Sequence, residues 1–311
     1  VTEAFAEEVT PIAQFFARSP PERFRMRERD SFSEVRGRLD LSFRPPVDLL
    51  DKVVFSAISY GAHQCTQAQG VGIKYVARGT EYYTVEGRTH AVRAGQFLCV
   101  SQAVASEVEV KRTGSETLGL CLFLSSATPL EQPDPLLLSP LIYSDKCSKL
   151  GSLLSGAMAR LLHPAADRPR IAGSLLTDVR CSLDLLLADT LEEFTSLQHA
   201  KSDTRFETLR RLHRARAHLH DVTDRPVDLA ELGVVTGMSR FHLLRRFKEC
   251  FGDTPASYHR RIRLGLARDS IEFQRLSCSE AAHRYGFASA SSFSHAYRRC
   301  LGTAPVRSRV A

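Results

Sequence analysis

No apolar run in this 311-residue chain reaches the roughly 18 residues that a membrane-spanning helix requires. The opening stretch, VTEAFAEEVTPIAQFF, carries Glu3, Glu7 and Glu8 where a secretory signal would be basic. These two absences lead us to expect a cytoplasmic protein with no membrane partner. The eight cysteines are scattered from Cys65 to Cys300 without a single Cys-x-x-Cys pair, and no histidines cluster at metal spacing. That pattern argues against a disulfide framework and a zinc site, and for reduced, mostly buried thiols. A Gly-rich phosphate loop of the Walker type is missing, and no Ser/His/Asp constellation stands out. The expectation is therefore a protein without catalytic residues, resident metal or cofactor, and not an enzyme.

A hydrophobic fraction of 43% with 25% charged residues describes a globular chain, and 311 residues exceed what one core usually serves. Two domains are expected. Charge is distributed unevenly between them. Residues 205–311 contain 20 Lys and Arg against 10 Asp and Glu, a net of +10, which leaves residues 1–204 at −3 of the total +7. A basic third joined to a nearly neutral body suggests a polyanion as partner of that third alone.

Hydrophobic periodicity divides the chain in the same way. Between Phe32 and Leu124 it is mostly two, with turn signals at Glu86-Gly87, Ala94-Gly95 and Thr113-Gly114, as expected of short antiparallel strands in a small barrel or sandwich. After the Pro-rich crossing SSATPLEQPDP the period lengthens. Leu150, Leu154, Ala157 and Leu161, then Ile171, Leu175, Val179, Leu183, Leu187, Leu191 and Phe194, recur at steps of three and four and predict two amphipathic helices. Such a pair can cover the sheet or join a second subunit. The polar stretch from Gln198 to Thr204 is the linker candidate. The organisation expected is residues 1–197 as an N-terminal domain, β-rich to about 125 and helical over 139–197, a linker at 198–204, and a basic domain at 205–311.

The basic domain contains a repeat. SRFHLLRRFKECFGDTP, from Ser239 to Pro255, aligns without gaps to SASSFSHAYRRCLGTAP, from Ser289 to Pro305, at an offset of 50 residues. Upstream of each copy a small residue, Gly233 or Ala282, stands one helical turn before a turn glycine, Gly237 or Gly286. Ser239 and Ser289 are then placed to cap the next helix. The small residue is expected to let two helices cross closely. Helix, glycine turn and second helix describe a helix-turn-helix in each copy. Phase puts Leu243, Phe247 and Phe251 on the inward stripe of the first copy, and Phe293, Tyr297 and Leu301 on that of the second. Outward lie Arg240, Phe241, Leu244, Arg245 and Lys248, and in the second copy Ala290, Ser291, Ser292, His295 and Arg298.

On GMSRFHLLRRFKECFGDTP, YHRRIRLGLARDSI and CSEAAHRYGFASASSFSHAYRRCLGTAP, residues 205–311 resemble the C-terminal DNA-binding domain of the AraC/XylS family of transcriptional regulators. The resemblance implies two helix-turn-helix units joined by one long helix, here about Pro255 to Arg275, with Gly265 softening it without breaking it. It implies promoter DNA as the partner and a bipartite site. The DNA-binding residues it implies are Ser239, Arg240, Phe241, Leu244, Arg245 and Lys248 in the first unit, and Ser289, Ala290, Ser291, Ser292, His295 and Arg298 in the second. Arg245 is suited to a bidentate contact with guanine, and nothing in the second set is as strong. The first unit is therefore expected to supply most direct base reading.

The N-terminal stretch VGIKYVARGTEYYTVEGRTHAVRAGQFLCVSQ is similar to the cupin-like barrel of many such regulators. The fold class expected is thus α+β: a small cupin-like β-barrel with a helical pair, followed by the all-α domain. His63, Cys65, Glu81 and His90 are the barrel's metal-type side chains, but the clustered His-x-His of metal-binding cupins is missing. His63, Tyr75, Tyr83 and Phe97 are candidates to line a cavity, and no ligand-binding residue is assigned. The resemblance further implies a small-molecule effector, a homodimer held by the barrel or the helical pair, and RNA polymerase as a partner if the protein activates. An architectural DNA-binding protein, whose N-terminal domain only oligomerises, is the alternative.

Overall fold

The computed structural model describes residues 31–39, 51–65, 70–125, 135–138, 140–197, 201–274 and 276–305. The chain divides into two units, residues 1–191 and 192–311. The first is built on one nine-stranded sheet. Its strands are β1 (Phe32–Leu39), β2 (Lys52–Cys65), β3 (Val71–Arg78), β4 (Thr80–Val85), β5 (Arg88–Arg93), β6 (Gln96–Ser101), β7 (Ser106–Val110), β8 (Thr117–Leu124) and β9 (Ile142–Ser144). They run in the order β5-β4-β7-β2-β8-β3-β6-β9, and β1 pairs with β2 off this path. These neighbour pairs are antiparallel, except β1 with β2.

Alternation in β7, where Ser106, Val108 and Val110 are buried and Glu107 and Glu109 are not, fits a strand with one wet face. In β3 and β6 the buried residues run consecutively, because both faces of those strands are covered. Val76, Tyr83, Val85, Val92, Leu98, Val100 and Val108 form one cluster drawn from β3 to β7. Strands from opposite ends of the sheet path thus share a core, and the sheet curls into a nearly closed barrel. Of the cavity candidates His63, Tyr75, Tyr83 and Phe97, Tyr83 belongs to this cluster, Tyr75 and Phe97 are buried on the opposite face of their strands, one residue out of phase with Val76 and Leu98, and His63 is half-buried. Phe97 stacks on Tyr143 at 5.3 Å and Tyr75 donates to Asp145 at 3.0 Å.

Helices α1 (Pro135–Leu138), α2 (Lys149–Leu161) and α3 (Arg168–Ser196) follow the barrel strands. The segment read as helical from 139 also contains β9, which pairs with β6 and sets Tyr143 opposite Phe97. Three residues of strand leave no periodic trace, and only that distant pairing defines them. Most of the Pro-rich crossing lies outside the described residues. The α2 stripe folds inward as expected, with Leu150, Leu154, Ala157 and Leu161 buried. In α3 the stripe holds only from Ile171 to Leu183. Each step of four residues advances about 40° beyond a full turn, so the buried face passes to Leu186 and Thr190 while Leu191 is 52% exposed.

The second unit is all-helical: α4 (Ser202–Asp221), α5 (Leu229–Thr236), α6 (Arg240–Phe251), α7 (Pro255–Glu272), α8 (Cys278–Arg284) and α9 (Ala290–Leu301). The last turn of α3 belongs to it. Phe194 packs on Phe206 at 4.4 Å, and Glu193 accepts from His213 at 2.7 Å and from Arg216 at 2.6 Å. Of the linker candidate, residues 198–200 lie outside the described residues, and Ser202 to Thr204 begin α4.

Two buried histidines brace this unit, and the geometry of both requires a neutral ring. His213 Nε2 donates to Glu193 while its Nδ1 faces an Arg216 N–H at 3.2 Å, so Nδ1 must accept. His259 Nε2 donates to the Val222 carbonyl at 2.6 Å and Nδ1 accepts from Val227 N at 3.4 Å. Burial lowers the pKa of both, aided by Arg216 at His213 and by Arg263 at His259, against the pull of Glu193 and of the Val222 carbonyl. Glu193, which burial alone would raise, is held low by His213 and Arg216.

The unfolded imidazole, at its ordinary 6.5, takes a proton that the folded ring refuses, so stability present above that pH is lost as pH falls through it. Urea titrations of the chain should show stability declining below about pH 6.5 by up to about 1.4 kcal/mol per pH unit for each histidine. His213→Gln and His259→Gln should each flatten that slope. A slope equal to wild type in both variants would contradict the neutral assignment. Gly265 sits mid-way along α7 with open space where a Cβ would go, and α7 runs through it unbroken. Gly265→Ala should therefore raise stability, by about 1 kcal/mol in the same titration.

Candidate nucleic-acid interface

In the first helix-turn-helix, Asp228 caps α5 by accepting from Glu231 N at 2.8 Å. The Glu231 carboxylate in turn binds Arg225 through two bonds of 2.7 Å and His218 at 2.7 Å. These donors, Arg225 before His218, bring its pKa down to about 2. One carboxylate thereby fastens the start of α5 to the preceding loop and to α4. Gly237 ends α5 at φ +66°, a left-handed conformation that glycine adopts without penalty, and its carbonyl accepts from Arg211 at 3.2 Å. Ser239 then caps α6 by accepting from His242 N at 3.3 Å.

Inward, Leu243 and Phe247 are fully buried, and Phe247 meets Phe251 at 4.6 Å and Tyr258 at 5.6 Å. Ser239, Arg240, Phe241, Leu244, Arg245 and Lys248 are all exposed, Phe241 to 78%. Among the described residues no ion pair engages Arg240, Arg245 or Lys248. Arg246, by contrast, is held by Glu249 at 2.8 Å.

The second unit repeats this plan with different fastenings. Ser277 and Glu280 form a capping box at α8. Gly286 turns the chain at φ +66°, and a Cβ there would lie 2.3 Å from the Asp224 carbonyl oxygen, so this turn needs glycine for space as well as conformation. The carbonyls of Tyr285 and Gly286 accept from buried Arg263 at 2.9 and 3.1 Å. Phe293 and Tyr297 are buried inward, with Phe287 on Phe293 at 5.2 Å.

Ser289, Ala290, Ser291, Ser292, His295 and Arg298 are all exposed. Ser292 has a structural task as well: its hydroxyl accepts from Ser289 N at 3.1 Å and donates to Ser289 O at 2.9 Å, closing a capping box. The helix-crossing reason expected for Gly233 is corrected. A Cβ there would lie 3.1 Å from the Met238 carbonyl oxygen, so the close approach is to the unit's own turn.

Each unit therefore offers a capped helix with one face anchored in apolar packing and the opposite face free, and a helix of this diameter fits a DNA major groove. The fastening residues Arg211 and Arg263 escape sequence reading because they bond to carbonyls more than twenty residues away. For Glu231 the spacing Asp228-x-x-Glu231 carries a capping signal.

Residues 232–309 match the family model described as a helix-turn-helix domain. Among curated proteins the chain is similar to the "Probable transcriptional regulator LumQ" of Photobacterium leiognathi, 38% identical over 81 residues, which is 26% of this chain and 33% of LumQ. It is also similar to the HTH-type transcriptional regulator GbdR of Pseudomonas aeruginosa, 35% identical over 82 residues, 26% of this chain and 22% of GbdR. The chain thus spans a third or less of the length of these relatives. Of solved structures it is similar to a transcriptional regulator with an AraC-type DNA-binding domain from Chromobacterium violaceum, at 25% identity and TM-score 0.30, covering 32% of this chain and 95% of that one. With two helix-turn-helix units around the long helix α7, the C-terminal part of this chain carries the helix-turn-helix domain that this family model describes.

Proposed function

We propose that the chain is a transcriptional regulator that reads a bipartite promoter site, α6 in one major-groove segment and α9 in the next. The observation that carries this reading is the pair of capped helices, 50 residues apart in sequence, each with its outward residues exposed. Arg245 is the strongest base reader, through bidentate donation to guanine O6 and N7, worth about 1–3 kcal/mol of discrimination. Lys248 and Arg298 serve phosphates, and Ser239 and Ser289 set the two helices. His295 and the small residues Ala290, Ser291 and Ser292 contribute weaker preferences and shape reading.

The N-terminal barrel and its helices hold two copies of the chain, and an effector or partner state of that unit sets which half-sites are occupied together. RNA polymerase is a partner of the activating form. The relatives named as transcriptional regulators support this reading.

Selection of duplexes from a random pool by the full chain, at a fixed salt concentration, should enrich a motif with one strong half. Arg245→Ala should relax preference within that half, whereas Lys248→Ala should weaken all sequences alike and flatten the salt dependence by about one unit of slope. Equal losses on selected and random duplexes for both variants would reject these roles. If wild type enriches no motif, the architectural alternative gains.

A further inference from the structure

A cleft of about 700 Å³ lies between α7 and α9, inside the second unit of the fold. Its polar lining is Arg260 and Arg263 from α7, and Ser292, His295, Arg298 and Arg299 from α9. No Asp or Glu lines it, although four arginines do. On a surface formed by solvation alone, carboxylates would be interspersed among so many cations.

Arg263 forms the floor. It is 6% exposed, its guanidinium rests over the Phe287 ring at 4.8 Å, and its bonds go to two neutral carbonyls, with no carboxylate among them. Its Nε is buried with no hydrogen-bond acceptor. A buried guanidinium with neutral partners and an orphaned N–H is costly unless something anionic approaches it. Burial, and then neighbouring Arg260, push its pKa down, as expected of a cation that lacks a counter-charge.

The cleft and the outward face of α9 share residues. Ser292, His295 and Arg298 belong to both. A duplex that receives α9 in its major groove must carry its flanking sugar–phosphate strand past those side chains and over the mouth of the cleft.

We propose that this cleft seats a phosphodiester group of the DNA backbone, with Arg260 and Arg299 as its direct ligands and the buried Arg263 guanidinium as an uncompensated positive charge beneath it. The proposal rests on the DNA-binding reading above and deepens it. The second unit is then an electrostatic anchor, which accounts for a recognition helix whose leading residues are Ala290, Ser291 and a serine already used in capping.

The test uses the full chain and a random-sequence duplex of about 40 base pairs, since backbone contacts are indifferent to sequence, with affinity measured across a salt series. Arg260→Gln and Arg299→Gln should each reduce the slope of log affinity against log salt by about one. Affinity lost between 50 and 200 mM salt should shrink about three- to fourfold for each. Arg299→Lys should retain the wild-type slope, and unchanged helical circular dichroism checks that each variant is folded.

Wild-type slopes in both glutamine variants, with a reduced slope in Lys248→Ala, would overturn the cleft assignment and leave the DNA-binding reading intact. A wild-type chain that binds no duplex at any salt would reject both. A saturable loss of duplex affinity when inorganic phosphate replaces chloride at constant ionic strength, abolished in Arg299→Gln, would assign the cleft to a free oxyanion instead.

Discussion

Helices α6 and α9 each have twelve residues and must bury one stripe while keeping the opposite stripe clear. A single fully buried aromatic ring sets that phase, Phe247 in α6 and Phe293 in α9. Around Phe247 stand Phe251 and Tyr258, and around Phe293 stand Phe287 and Tyr297, so both helices rest on edge-to-face ring contacts. Advancing either helix by one residue, about 100°, would bring Lys248 in α6 or Arg298 in α9 inward and expose a ring. The unfavourable burial of that charge is what pins the outward face.

Polar fastenings then fix what apolar packing leaves adjustable. Glu231 joins α5 to α4 and to the loop at Arg225, Arg263 holds the second turn by its carbonyls, and the two buried histidines bridge backbone and carboxylate as neutral donors. Arg263 and the two histidines are expensive to bury and cannot be left half satisfied. They make the relative position of the helices specific, and two of them depend on a protonation state. Arg263 differs in keeping an unused N–H, and it lines a basic cleft in this domain.

Much of the helical domain could be read from the amino-acid order, because a helix-turn-helix is mostly local. Caps lie within three residues of the groups they bind, as Ser239 and Ser289 do, and turn glycines lie one helical turn from their partners. The gapless 50-residue repeat made both units visible at once. In the barrel, alternation in β7 and the glycine turns were legible, whereas β9 was not, since Ile142–Ser144 become a strand only by meeting β6. The α3 stripe was followed too far because a step of four drifts off a helical face.

The amino-acid order alone determined most of the helices and strands, where α6 and α9 begin and end, and which of their side chains point away from packing. These follow from backbone conformation, capping and periodicity, which act over a few residues. Tertiary structure alone decided that the last turn of α3 joins the second unit through Glu193, that His213 and His259 are neutral, and that Arg260, Arg263 and Arg299 converge on one cleft. Charge state and convergence depend on desolvation and on neighbours tens of residues away, and only the closed fold brings those together.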